Sequence, residues 1–272
     1  DNTSVILTLQ QTANQQAWQR RQRIWPDRDG EALLARPQQW RIDQMQRLGE
    51  VMAALDPIRH DWGFYGTKKS PDWLRHVVSL WLPRGRKPQP VAVLADLAEQ
   101  GRDAVASVLD IVFARDPHNY GVGNSVSRFS GLAEWFSASQ DAIIAAAPGL
   151  AAEVRAELAA ALGRFGLQDA YREVLIDLAT GSAKKVRASA RQALTACNTT
   201  GLTDALDARF TKAAPGARAE LVEVATGSLG EAAKPLLARW RENETAPRVI
   251  AALDQAGGAI LAAPPPPPPA KD

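Results

Sequence analysis

Four short segments of this chain echo one another at a nearly constant step, and that periodicity restricts the fold more than any other feature. Val154-Arg155-Ala156-Glu157-Leu158, Val186-Arg187-Ala188-Ser189-Ala190, Ala217-Arg218-Ala219-Glu220-Leu221 and Pro247-Arg248-Val249-Ile250-Ala251 set their arginines 32, 31 and 30 residues apart. Counted from the residue before each arginine, the first three units carry apolar residues at offsets 0, 4, 7 and 8: Val154, Leu158, Ala161, Leu162; Val186, Ala190, Ala193, Leu194; Ala217, Leu221, Val224, Ala225. Those offsets share one face of a helix. Second helices are expected between them, at about 168–180, 202–212 and 230–242, with turns at Gly163, Gly166, Gly181, Gly201, Gly216 and Gly227. One such helix pair is too small to bury its apolar face, so the pairs must stack on one another. The fourth unit has Asp254 and Gln255 at offsets 7 and 8. A polar last unit is what a capping repeat requires.

The rest of the chain also reads as helix. Residues 38–55 space Trp40, Met45, Leu48, Met52 and Leu55 at three to five residues, closed by Pro57. Ser70-Pro71-Asp72 reads as an N-cap, a first-turn proline and a first-turn acid, opening a helix to about Leu82. Residues 91–100 and 102–115 form two more helices split at Gly101, and Asn124 caps a helix through Trp135. No run of alternating β-branched residues is bounded by turn signals, so no sheet is expected. The fold class is therefore all-α: an α-solenoid of stacked helix pairs behind a Trp-rich helical N-terminal region.

Four regions follow. Residues 1–90 hold 14 Lys/Arg against 9 Asp/Glu and six of the eight tryptophans, giving a basic helical region that ends where Pro83, Gly85, Pro88 and Pro90 crowd together. Residues 91–148 are divergent helical repeats, and 149–257 are the regular ones. Residues 258–272 contain Pro264 to Pro269, a stiff polyproline II stretch that serves as a linker or tail or as a docking ligand. As a linker it implies a further domain. The first residue is Asp1, so the chain reads as a processed form or a piece of a longer protein.

The Val-Arg-x-x-Ala-x-x-Ala-Leu pattern of residues 186–194 resembles a HEAT-type repeat, as do residues 154–162. The resemblance covers about 149–257 and implies that the Val-Arg helices line a concave surface. The family often carries an Asp six residues before the Arg, building a ladder between repeats. Here those positions hold Gly149, Gly181, Lys212 and Glu242, which leaves only Glu242 for that part. The tryptophan-rich start, HEAT-like middle and proline tail are also similar to the front part of large bacterial proteins related to the molybdate-metabolism regulator.

The candidate binding stripe is basic: Arg155, Lys184, Lys185, Arg187, Arg191 and Arg218. Lysines at a helix N-terminus oppose the helix dipole, and such a local conflict sometimes marks a working surface. The competing reading is a solvated face whose arginines pack on or pair with neighbouring repeats. Trp18, Trp25 and Trp40, beside Arg20, Arg21, Arg23 and Arg41, are candidate aromatic anchors; the same pattern suits base stacking or packing over the solenoid's open end.

Catalytic signals are weak. The histidines are His60, His76 and His118, too few for a metal phosphohydrolase. Asp72 and His76, like Asp56 and His60, have the spacing of a helical surface ion pair. Gly121-Val122-Gly123-Asn124-Ser125 follows no expected strand and reads as a turn. Cys197, the single cysteine, excludes an internal disulfide and a cysteine-rich zinc site and reads as a small buried filler. No run approaches the roughly 18 apolar residues of a membrane-spanning helix. No catalytic residue, cofactor or metal is expected.

The expected function is a non-enzymatic scaffold that binds a protein or peptide on the concave face, in a reducing compartment such as the cytoplasm. The alternative is nucleic-acid binding. By architecture that reading leads to HEAT-like alkylpurine DNA glycosylases, with Asp61 and Trp62 or Asp72 and Trp73 imitating the lesion site. A net charge of +2 gives nucleic acid no special support.

Overall fold

The computed structural model describes residues 41–55, 70–81, 88–101, 103–113 and 125–262, and the chain divides into two compact units, Asp1–Leu150 and Ala151–Asp272. The described residues are all-α apart from one very short strand pair. No helix among them is long and apolar enough to cross a membrane.

In the first unit, α1 (Ile42–Leu55) packs on α2 (Asp72–Trp81). Gly49 permits that approach: a Cβ there would press into the Trp73 carbonyl and lie 2.7 Å from Val77 Cγ2. The expected cap of α2 shifts by one residue. The Pro71 carbonyl accepts from Leu74 N–H and Arg75 N–H, both at 3.1 Å, so Pro71 is the cap rather than the first helical residue. Ser70 is buried and its hydroxyl donates to the buried carboxylate of Asp110.

β1 (Gln89–Pro90) precedes α3 (Val91–Ala98), and α4 (Ala104–Phe113) follows after Gly101 and a left-handed Asp103. The single helix expected through Trp135 is absent. A 3-10 turn (Ser125–Arg128) leads into β2 (Phe129–Ser130), then Gly131 at φ 73° begins α5 (Leu132–Ala138). That left-handed conformation favours glycine and interrupts the helix. β1 and β2 pair in parallel, Gln89 with Phe129 and Pro90 with Ser130. Two residues are too few to show strand periodicity in a sequence. α6 (Gln140–Ala146) completes the unit, whose core holds Leu94, Leu97, Leu109, Ile111, Val112 and Phe136.

The second unit alternates two sets of helices. The Val-Arg helices are α7 (Ala152–Arg164), α9 (Lys184–Leu194), α11 (Pro215–Leu229) and α13 (Pro247–Ala262). Between them run α8 (Arg172–Ala179), α10 (Thr199–Lys212) and α12 (Lys234–Asn243). α7 packs on α9, α9 on α11 and α11 on α13, while α8 packs on α9 and α10. Every apolar position of the repeat pattern is buried except Ala217, which is exposed in the first turn of α11. Full burial of a leucine such as Leu158 or Leu194 contributes about 1.5–3 kcal/mol. Small residues set the spacing at one crossing: a Cβ on Gly163 would stand 3.4 Å from Ala193. In the last helix Val249, Leu253 and Ala256 are buried, and Asp254 pairs with Arg241 at 2.9 Å.

Candidate functional site

The candidate basic residues lie on the Val-Arg helices, and four of the six, Lys185, Arg187, Arg191 and Arg218, take separate partners. α9 starts at Lys184 without a side-chain cap and without an acid in its first turn. Lys185 finds its counter-charge on the preceding Val-Arg helix, at Glu157, 3.3 Å away. Lys184 is exposed.

Arg187 turns back along its own repeat and donates to the carbonyls of Gly181 at 3.0 Å and Ser182 at 2.7 Å. Arg191 reaches the Ala179 carbonyl at 3.4 Å, on the last turn of α8. The final carbonyls of a helix lack intrahelical partners and carry its negative dipole end, so cations are stabilised there. Arg191 also pairs forward with Glu220 at 3.4 Å and Glu223 at 3.0 Å on α11.

Arg218, the counterpart of Arg187, behaves differently. Its Nε lies 3.1 Å from Glu244 Oε2, as an ion pair rather than an aligned hydrogen bond, and its guanidinium sits 5.7 Å from the Phe210 ring centre. Glu244 is buried, and its other oxygen accepts from Thr245 N–H at 2.9 Å and Ala246 N–H at 2.8 Å, just before α13. Arg155 is half-buried, with its Nε sealed from water and not hydrogen-bonded.

Between α7 and α9 an open groove of about 680 Å³ remains. Its floor and walls are mostly small or neutral: Ala160, Gly163, Ala188, Ser189, Gln192, Ala193, Thr195 and Ala196. Glu157, tied to Lys185, stands on its lining, as does exposed Arg164 in the last turn of α7.

Sequence reasoning sought an Asp–Arg ladder six residues before each arginine of the Val-Arg helices. At Arg187 that place is taken by the Gly181 carbonyl, and Glu242 is exposed. The aspartate–arginine pairs run instead along the intervening helices. Arg209 on α10 holds Asp177 on α8 through two guanidinium nitrogens and Glu173 at 3.1 Å. Arg239 on α12 holds Asp207 on α10 at 3.0 Å. Both Asp–Arg pairs are 32 residues apart, a step equal to the first step of the repeat, and that is the signal which would have found them. Trp240 adds a second bond to Asp207, its indole N–H donating at 2.8 Å, while its ring stacks on Phe210 with centres 4.0 Å apart.

Asp169 was also missed. Its carboxylate accepts Asn198 N–H at 3.0 Å and a bond from Arg172 at 2.6 Å, while Gln168 donates to the Ala196 carbonyl at 2.8 Å. The arginine bond holds the Asp169 carboxyl below the usual aspartate range. Asn198 caps α10 by accepting Gly201 N–H at 3.1 Å. The turn before α8 thus fastens the turn before α10. Cys197 in that turn is half-buried, and burial first and the Asp169 charge second push its thiol up to about 11.

The remaining candidates separate. Trp18, Trp25 and Trp40 lie outside the described residues, as do His60, His118 and Gly121 to Asn124. His76 is fully buried rather than on a surface, because it faces the core side of α2. Asp72 lies 3.7 Å from buried Arg75, which makes that residue its ion-pair partner. Among the described residues no group of three or more His, Cys, Asp or Glu is placed to hold a metal.

A scan against protein-family models found no match, and searches of curated proteins and of solved structures found none either.

Proposed function

We propose that the second unit is an α-solenoid of HEAT-like helix pairs, and that the chain is a non-enzymatic interaction scaffold that binds a protein segment along its Val-Arg helices. The observation that carries this reading is how the stripe's cations are spent. Lys185, Arg191 and Arg218 are paired with carboxylates of adjacent repeats, and Arg187 is folded onto backbone carbonyls. What stays open to a partner is the groove between α7 and α9, lined mostly by small side chains, with Arg164 as the one exposed cation among the described residues of its lining. Such a surface suits close contact with peptide backbone and short side chains. It does not suit a polyphosphate backbone, which requires several free cations along its track.

The test is a peptide-display selection against the intact chain, with Ala188→Arg as counter-selection. Ala188 is exposed on the groove, so the arginine fills it without disturbing the core. Peptides that bind the wild type and lose at least about tenfold in affinity on the variant, about 1.4 kcal/mol, support the reading. A selection yielding only peptides indifferent to Ala188→Arg removes the groove as the site. Fluorescence anisotropy with a DNA duplex at about 50 and about 200 mM salt covers the alternative: tight binding that falls steeply with salt replaces the scaffold reading by a nucleic-acid one.

A further inference from the structure

We draw no further inference here: the strongest candidate, the uncapped N-terminus of α9 with Lys184 exposed on its first turn, carries nothing because no second feature among the described residues points to an anion or any other ligand there.

Discussion

Arg187 and Lys184 sit three residues apart on one helix and differ in kind. The lysine is exposed, whereas the arginine closes a turn through two backbone carbonyls. A planar guanidinium with several donors can span two carbonyls; an ammonium is a single point charge. Arg187→Ala is expected to destabilise the second unit by about 1–2 kcal/mol, measured by urea denaturation. Lys184→Ala should stay within about 0.5 kcal/mol. Equal effects would mean that the arginine's bonds contribute nothing. Asp169 carries a pH signature. Its pKa is lowered in the folded state, so its contribution is fully present above the unfolded aspartate value of about 4. It is lost as pH falls below that value and through the folded pKa. Asp169→Asn should therefore lower the melting temperature at pH 7 and converge on the wild type as pH falls below about 4 and through the folded pKa, as read by circular dichroism. A difference that is constant with pH would place the effect elsewhere.

At the scale of an element, the crossings show which contacts hold helix to helix. Gly49 lies within α1, where alanine is the better helix former by about 1 kcal/mol. The Trp73 carbonyl and Val77 leave no room for its Cβ. Gly49→Ala is thus expected to destabilise the first unit despite the gain in propensity; a rise in melting temperature would show that α1 and α2 do not approach so closely. The α10–α12 contact offers a cleaner separation. Trp240→Ala removes both the stacking on Phe210 and the bond to Asp207, and should cost about 3–5 kcal/mol by chemical denaturation. Trp240→Phe keeps an aromatic ring and loses chiefly the hydrogen bond, so about 1 kcal/mol is expected. The exposed Asp177–Arg209 pair contributes less: a double-mutant cycle should return no more than about 1 kcal/mol.

Across the whole molecule, the boundary between Leu150 and Ala151 lies beside the start of the regular repeats. The second unit has its own buried core, from Val154 to Ala256. A fragment of residues 151–272 is therefore expected to give a helical circular dichroism spectrum and a sigmoidal thermal transition. A fragment that melts gradually, without a transition, would show that this core is insufficient alone. The first unit is less transparent from sequence. Its helices are separated by turns whose geometry depends on contacts: Ser70 serves Asp110 rather than its own helix, and Gly131 interrupts what reads as one helix.

Helix type, the step of about 31 residues and nearly the whole buried face of the Val-Arg helices were legible in the residues themselves. A 3.6-residue period writes burial directly into the order of apolar side chains. Ala217 departed because a first-turn alanine has little to bury, and propensity leaves its exposure open. The destinations of the charged side chains were another matter. Nothing within residues 184–191 distinguishes an arginine that lies along a groove from one that bends back onto Gly181 or forward onto Glu223. Long flexible cations take whichever acceptor the fold brings within about 3 Å, and those acceptors come from a neighbouring turn or the next repeat. Tertiary packing alone decided that Lys185, Arg187 and Arg191 are spent within the fold while Lys184 stays exposed, and that the groove between α7 and α9 is lined mostly by small side chains.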